Sequence, residues 1–211
     1  MKVAEEHALQ PYMAAQRRIE YFVREHDLQD RPHALLWLSK VYGIPAGMYA
    51  SQIWGTQYLC EGAEFKSQLQ RWQLCSLKRI LGVKHSATNW PMRRECGQEP
   101  LQFYWYRATI KFFNSMLGSN SDTLRRVLKA DLRLAGRDKS CWSAHVSNAF
   151  ADMRNSFLFK QRMLEGSKVP MQDFIADLRY RQQKVWREAD DLDPCAVNKK
   201  VLPITNGAEN H

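Results

Sequence analysis

Two adjacent aspartates, Asp190 and Asp191 in the run EADDLDP at 188–194, are the side chains in this 211-residue sequence best suited to holding two divalent cations for in-line phosphoryl attack. Such a pair works from the turn of a β-hairpin, where both carboxylates converge. Here the aspartates close a helical pattern, so a solvated helix end is expected. His85 follows Lys84 in a polar stretch with no carboxylate or cysteine beside it in sequence, and an exposed imidazole without a role is expected. No G-x-S-x-G, H-E-x-x-H, Walker-type or G-x-G-x-x-G pattern occurs. Accordingly no catalytic residue, metal ligand or cofactor is expected, and the chain reads as a non-enzyme.

Positive charge is the stronger chemical signal. The formal net charge is +9, which favours a polyanionic partner, nucleic acid first and an acidic membrane surface second. It is unevenly spread: residues 65–113 hold 9 Lys/Arg against 2 Asp/Glu, residues 1–64 hold 6 against 8, and residues 114–200 hold 16 against 11. The field therefore centres on LKRILGVKHSATNWPMRRECGQEPL, residues 77–101, and the helix after it. A helix opening near Trp90 would present unpaired N–H groups and the positive end of its dipole. Arg93 and Arg94, expected to be exposed, would add strong donors to that phosphate site. Together with Arg71, Lys78, Arg79, Lys84, Arg107 and Lys111 they are expected to form a groove tracking an RNA or DNA backbone, against the plainer alternative of a solvated basic surface. Trp54, Trp72, Trp90, Trp105 and the run FYWYR at 103–107 could stack on bases, although aromatics at helical spacing more often form core.

The elements that must position these residues read as helices throughout. Tyr12, Ala15, Ile19, Phe22 and Val23 recur at helical spacing, and Pro11 suits a first turn, which predicts a helix from about Pro11 to Leu28. A nearly all-apolar segment from Pro32 to about Gly55, kinked at Pro45, is expected to be the central buried element. Further helices are predicted over 61–81, stopped by Gly82, from Asn89 and Pro91, over 101–117 with a stripe of Arg107, Lys111 and Asn114, over 122–135, over 140–164 and over 170–190. No β-alternation, repeat or low-complexity tract is found. The fold class is all-α, an irregular bundle of about six to seven helices. Residues 1–117 form one region, 118–190 a basic helical continuation, and 191–211 a disordered tail.

Five cysteines at 60, 75, 96, 141 and 195 are odd in number and form no C-x-x-C pair, so free thiols in a reducing compartment are expected rather than disulfides or zinc. The opening MKVAEEHALQ is acidic and lacks an apolar h-region, which argues against a signal peptide. The most apolar run contains Lys40, Pro45 and three glycines, too broken to span a bilayer. A soluble, intracellular protein without a membrane partner is expected.

AGMYASQIWGTQYL, then LKRILGVKHSATNW, then RRECGQEPL resemble, in order and spacing, the region just after the palm in reverse transcriptases of non-LTR (LINE-type) retrotransposons. The matching positions are Tyr49, Ile53, Trp54, Gly55, Leu77, Lys78, Ile80, Leu81, Gly82, Val83, Thr88, Asn89, Glu95, Gly97, Pro100 and Leu101. Ala50, Gln52 and Cys96 stand where that family has glycine, glutamate and leucine. The fingers, the palm and the aromatic-x-Asp-Asp turn are missing. The resemblance implies a thumb-like helical lobe that grips a template-primer duplex by its backbone, acts in the nucleus and cannot polymerise alone. A rival expectation is a protein-interaction module whose apolar faces, over 32–55 and 101–117, dock a partner or self-associate; a third is a relic reading frame with no selected function.

Overall fold

The structure, a computed structural model, describes residues 2–59 and 66–192. It is all-α, with no strand among the described residues. The expected disordered tail lies outside them from residue 193 onward.

The first helix, α1 (Lys2–Glu25), begins well before Pro11, which sits inside it on the solvent side. Tertiary bonds override the proline signal. Glu5, only 4% exposed, accepts hydrogen bonds from the Tyr58 hydroxyl, from Ser67 Oγ at 2.6 Å and from the Leu69 amide at 3.2 Å. Three donors satisfy a carboxylate that would otherwise be too costly to bury, and they hold the turns ahead of Pro11 in helical form. Burial, reinforced by that carboxylate, pushes the Tyr58 phenol far above its ordinary range.

The segment expected to be one kinked helix is instead a chain of short pieces. It runs through α2 (Pro32–Leu38), a π-turn (Ser39–Gly43), α3 (Ile44–Ala46), α4 (Ser51–Trp54) and a 3-10 turn (Gly55–Tyr58). The π-turn packs on α1, where Gln16 Nε2 donates to Ser39 Oγ at 3.0 Å; a Cβ at Gly43 would lie 2.3 Å from that nitrogen. Nor is the segment the buried centre. Trp37 and Tyr42 are each 59% exposed and Tyr49 79%.

The centre is α7 (Leu101–Gly118), preceded by α5 (Gln68–Ile80) and α6 (Asn89–Glu95). It is followed by α8 (Asp122–Leu134), α9 (Trp142–Ala149), α10 (Ser156–Leu164) and α11 (Met171–Leu192). The predicted 140–164 helix is thus two, separated by a 3-10 turn (Phe150–Asp152). One end of α7 sets Trp105 against Trp54 and Tyr58, ring centroids 5.4 and 5.7 Å away; a Cβ at Gly55 would come within 3.0 Å of the Trp105 ring. Close approach of chain to indole is what requires glycine there. Tyr106 joins a second aromatic cluster with Phe150, Phe159 and Phe174. Each such ring contributes about 1.5–3 kcal/mol through burial. The core runs unbroken across residue 117, from Ala8 to Leu178. Asn114, expected on a basic stripe, instead clamps Val169, donating to its carbonyl and accepting from its amide, both at 2.9 Å.

Candidate polyanion-binding surfaces

Helices α5 and α6 each end in a matching glycine turn. Gly82 (φ 64°) and Gly97 (φ 58°) each take the left-handed conformation. Val83 donates to Lys78 O at 3.0 Å and Gly82 to Arg79 O at 3.1 Å; Gln98 and Gly97 repeat the pattern onto Arg93 O and Arg94 O. These paired bonds satisfy the last carbonyls of each helix; the Gly82 turn fixes where the polar loop leaves α5, and the Gly97 turn ends α6 ahead of α7.

Within that frame the eight predicted cations part company. Lys78 is only 7% exposed, and its ammonium donates to the His85 carbonyl at 2.7 Å; burial pushes its pKa below the usual lysine value. It is a strut under the loop, not part of a groove. Arg93, expected exposed, is 6% exposed because that face of α6 packs inward. Of the two arginines expected to serve the helix-end phosphate site on the seven-residue α6, only Arg94 is exposed. Arg79 pairs with Glu20 of α1. Arg107 holds Glu99 with two nitrogens, at 2.9 and 3.0 Å, both side chains 25% exposed. Arg71 is exposed and turns back to the Ser67 and Lys66 carbonyls at 3.4 and 3.2 Å. Lys84, Arg94 and Lys111 are exposed.

A second basic surface, to which the sequence reading assigned no site, lies on α8. Ser121 caps the helix, its hydroxyl accepting from the Leu124 amide at 3.4 Å. Arg125, Lys129 and Arg133 recur at i, i+4 and i+8 along one flank, all exposed, with Arg126 beside them and Arg137 and Lys139 just beyond. The acids nearby are committed. Asp122 pairs with Arg126 at 2.8 Å, and Asp131 takes the Ser143 amide at 2.8 Å together with its hydroxyl. Asp138 accepts from the Ser140 hydroxyl and amide, which hold its carboxyl below the usual range. Among the described residues, Arg125, Lys129, Arg133, Arg137 and Lys139 meet no carboxylate. The i, i+4, i+8 spacing was the signal that could have found them.

The aromatics mostly serve the core. Trp54 and Trp105 are buried, whereas Trp72 is 39% exposed; the Trp90 side chain lies outside what the structure describes. Asp190 and Asp191 fall within α11, not a hairpin, and their side chains too lie outside the description. Among the described residues no group of three or more His, Cys, Asp or Glu is placed to hold a metal, and no helix is long and apolar enough to cross a membrane. Cys75, Cys96 and Cys141 are free thiols; Cys60 and Cys195 lie outside the described residues. An apolar groove of about 650 Å³ runs between α1 and the α2–α3 segment, lined by Ala15, Ile19, Phe22, Leu38, Tyr42 and their neighbours. Compared with known proteins, the chain matches no family model, no curated protein and no solved structure.

Proposed function

We propose that the chain is a catalytically inactive, thumb-like helical module that binds RNA or DNA through the phosphate backbone without reading sequence. The observation that carries this reading is the α8 flank, where Arg125, Lys129 and Arg133 project from a capped helix with their acidic neighbours occupied elsewhere. Spaced four residues apart, they cover about 12 Å of helix axis. A duplex strand carries one charge per about 3.4 Å of its axis, so several phosphates come within reach. Lys84 and Lys111 add exposed charge, while Lys78, Arg79, Arg93 and Arg107 serve the fold. The resemblance of residues 49–101 to non-LTR reverse transcriptases gives the reading its direction, including a nuclear setting.

Titration with labelled duplex and hybrid at several salt concentrations tests it. Affinity should fall steeply with salt, and replacing Arg125, Lys129 and Arg133 together by glutamine should flatten the log–log slope by about 2.7 on B-form duplex. All sequences should weaken alike, because phosphate contacts position without specifying. A salt-insensitive interaction, or a triple variant that binds as well as the parent, overturns the reading.

A second reading is favoured by the α1–α2 face, where the apolar groove lies beside exposed Phe22, Trp37 and Tyr42. Hollow and projecting rings on one patch are the ingredients of a two-fold contact with a second copy of the chain. Light scattering should then report a dimer that Tyr42→Glu disperses.

A further inference from the structure

We propose that Cys75 and His85 form a thiol–imidazole pair that makes Cys75 a site of exchange with low-molecular-weight disulfides. Cys75 lies on α5 and His85 in the following loop, yet Cys75 Sγ and His85 Nε2 are 3.0 Å apart. The loop is not free to drift from that position. Lys78, one turn along α5 from Cys75, holds the His85 carbonyl at 2.7 Å, and the turn at Gly82 fixes where the loop departs. Cys75 is partly exposed, so a small disulfide can reach the sulfur. The buried Lys78 ammonium, one turn along α5, places positive charge near the sulfur. Partial exposure, a base in contact and positive charge nearby are the conditions under which a cysteine becomes a nucleophile.

The exchange balances within the pair. The thiol proton passes to His85 Nε2, and the thiolate attacks one sulfur of the incoming disulfide. A new S–S bond forms at Cys75 as the old one breaks, and the departing thiolate takes the proton back from the imidazolium. No other oxidant is needed. The product would wedge a thiol-derived group between α5 and the loop carrying Lys84 and His85.

The other described cysteines provide the contrast. Cys96 is 8% exposed, and burial pushes its thiol up to about 11. Cys141 is partly exposed like Cys75, but its thiol donates to the Asp131 carbonyl at 3.8 Å, an acceptor that cannot take the proton as a base. It is therefore an internal reference of similar accessibility without a base.

The test treats the full-length chain with oxidised glutathione at pH 7, quenches at intervals by alkylation, and follows each cysteine by peptide mass. Cys75 should form the mixed disulfide at least about ten times faster than Cys141. His85→Gln and His85→Ala should each slow Cys75 about tenfold while leaving Cys141 unchanged, with the circular dichroism of the parent. Equal rates at Cys75 and Cys141 in the unmodified chain overturn the proposal, and this comparison needs no variant to fold. Variants that retain the fast Cys75 rate overturn it as well.

Discussion

The α5–α6 junction and α8 are both rich in arginine and lysine, and they use that charge in opposite ways. At the junction, Lys78 and Arg93 are buried, Arg79 is bound to Glu20, and Arg107 is bound to Glu99. On α8, the acids of the same stretch are occupied by serines or by Arg126, and the remaining cations face solvent. The junction has the higher net charge in sequence, yet apart from Arg79 its exposed cations are Arg71, Lys84 and Arg94, against Arg125, Lys129, Arg133, Arg137 and Lys139 on α8 and the turn after it. Net charge measures what a segment contains; pairing and burial decide what it can offer.

Three experiments sharpen or break that contrast. The largest effect should come from Lys78→Ala, which leaves the His85 carbonyl without its buried donor. Urea denaturation should show a loss of about 1–3 kcal/mol. Lys129→Ala on exposed α8 should stay within about 0.5 kcal/mol of the parent. Equal losses would mean that the junction lysine is no strut.

A smaller effect is expected from Glu99→Gln, which releases Arg107. The cost in stability should be below about 1 kcal/mol. The salt dependence of duplex binding should steepen by up to about 0.9 in log–log slope as one more cation becomes available. No change would show that Arg107 lies away from any bound backbone.

The smallest effect is a pH dependence confined to the junction. Because the folded state lowers the Lys78 pKa, the unfolded chain binds that proton more readily over the window from the depressed value up to the ordinary 10.5. Stability contributed at this site therefore rises with pH through that window. The difference in stability between parent and Lys78→Met should move in the parent's favour as pH approaches 10.5, and the same comparison for Lys129→Met should stay flat. Parallel curves would remove the distinction.

Much of the helical framework was legible in sequence. Apolar spacing located α7, α8 and α11 to within a few residues, and Gly82 marked the end of α5, because these signals act within one or two turns. What was not legible depends on distant partners. Pro11 reads as a helix start until Glu5 is seen bonded to residues more than fifty positions away. Lys78 and Arg93 look like surface cations because a helical stripe carries the same spacing whether it faces solvent or a neighbouring helix. The composition of the 32–55 run suits a core, yet the centre belongs to α7, which carries Arg107 and Lys111 on its rim. The Cys75–His85 contact joins a helix to a loop ten residues on, a distance at which no periodicity applies.

The Glu5 cluster also acts as a gauge of docking. The Leu69 amide, among the first of α5, has no carbonyl of its own helix to bond and gives its hydrogen to Glu5 on α1 instead. Deuterium exchange at that single amide therefore reports α1 lifting away rather than α5 unwinding. Exchange at Leu74 and Leu77, deeper in α5, reports the helix itself. The ratio of the two rates separates partial undocking of the first helix from global unfolding without any substitution in the chain.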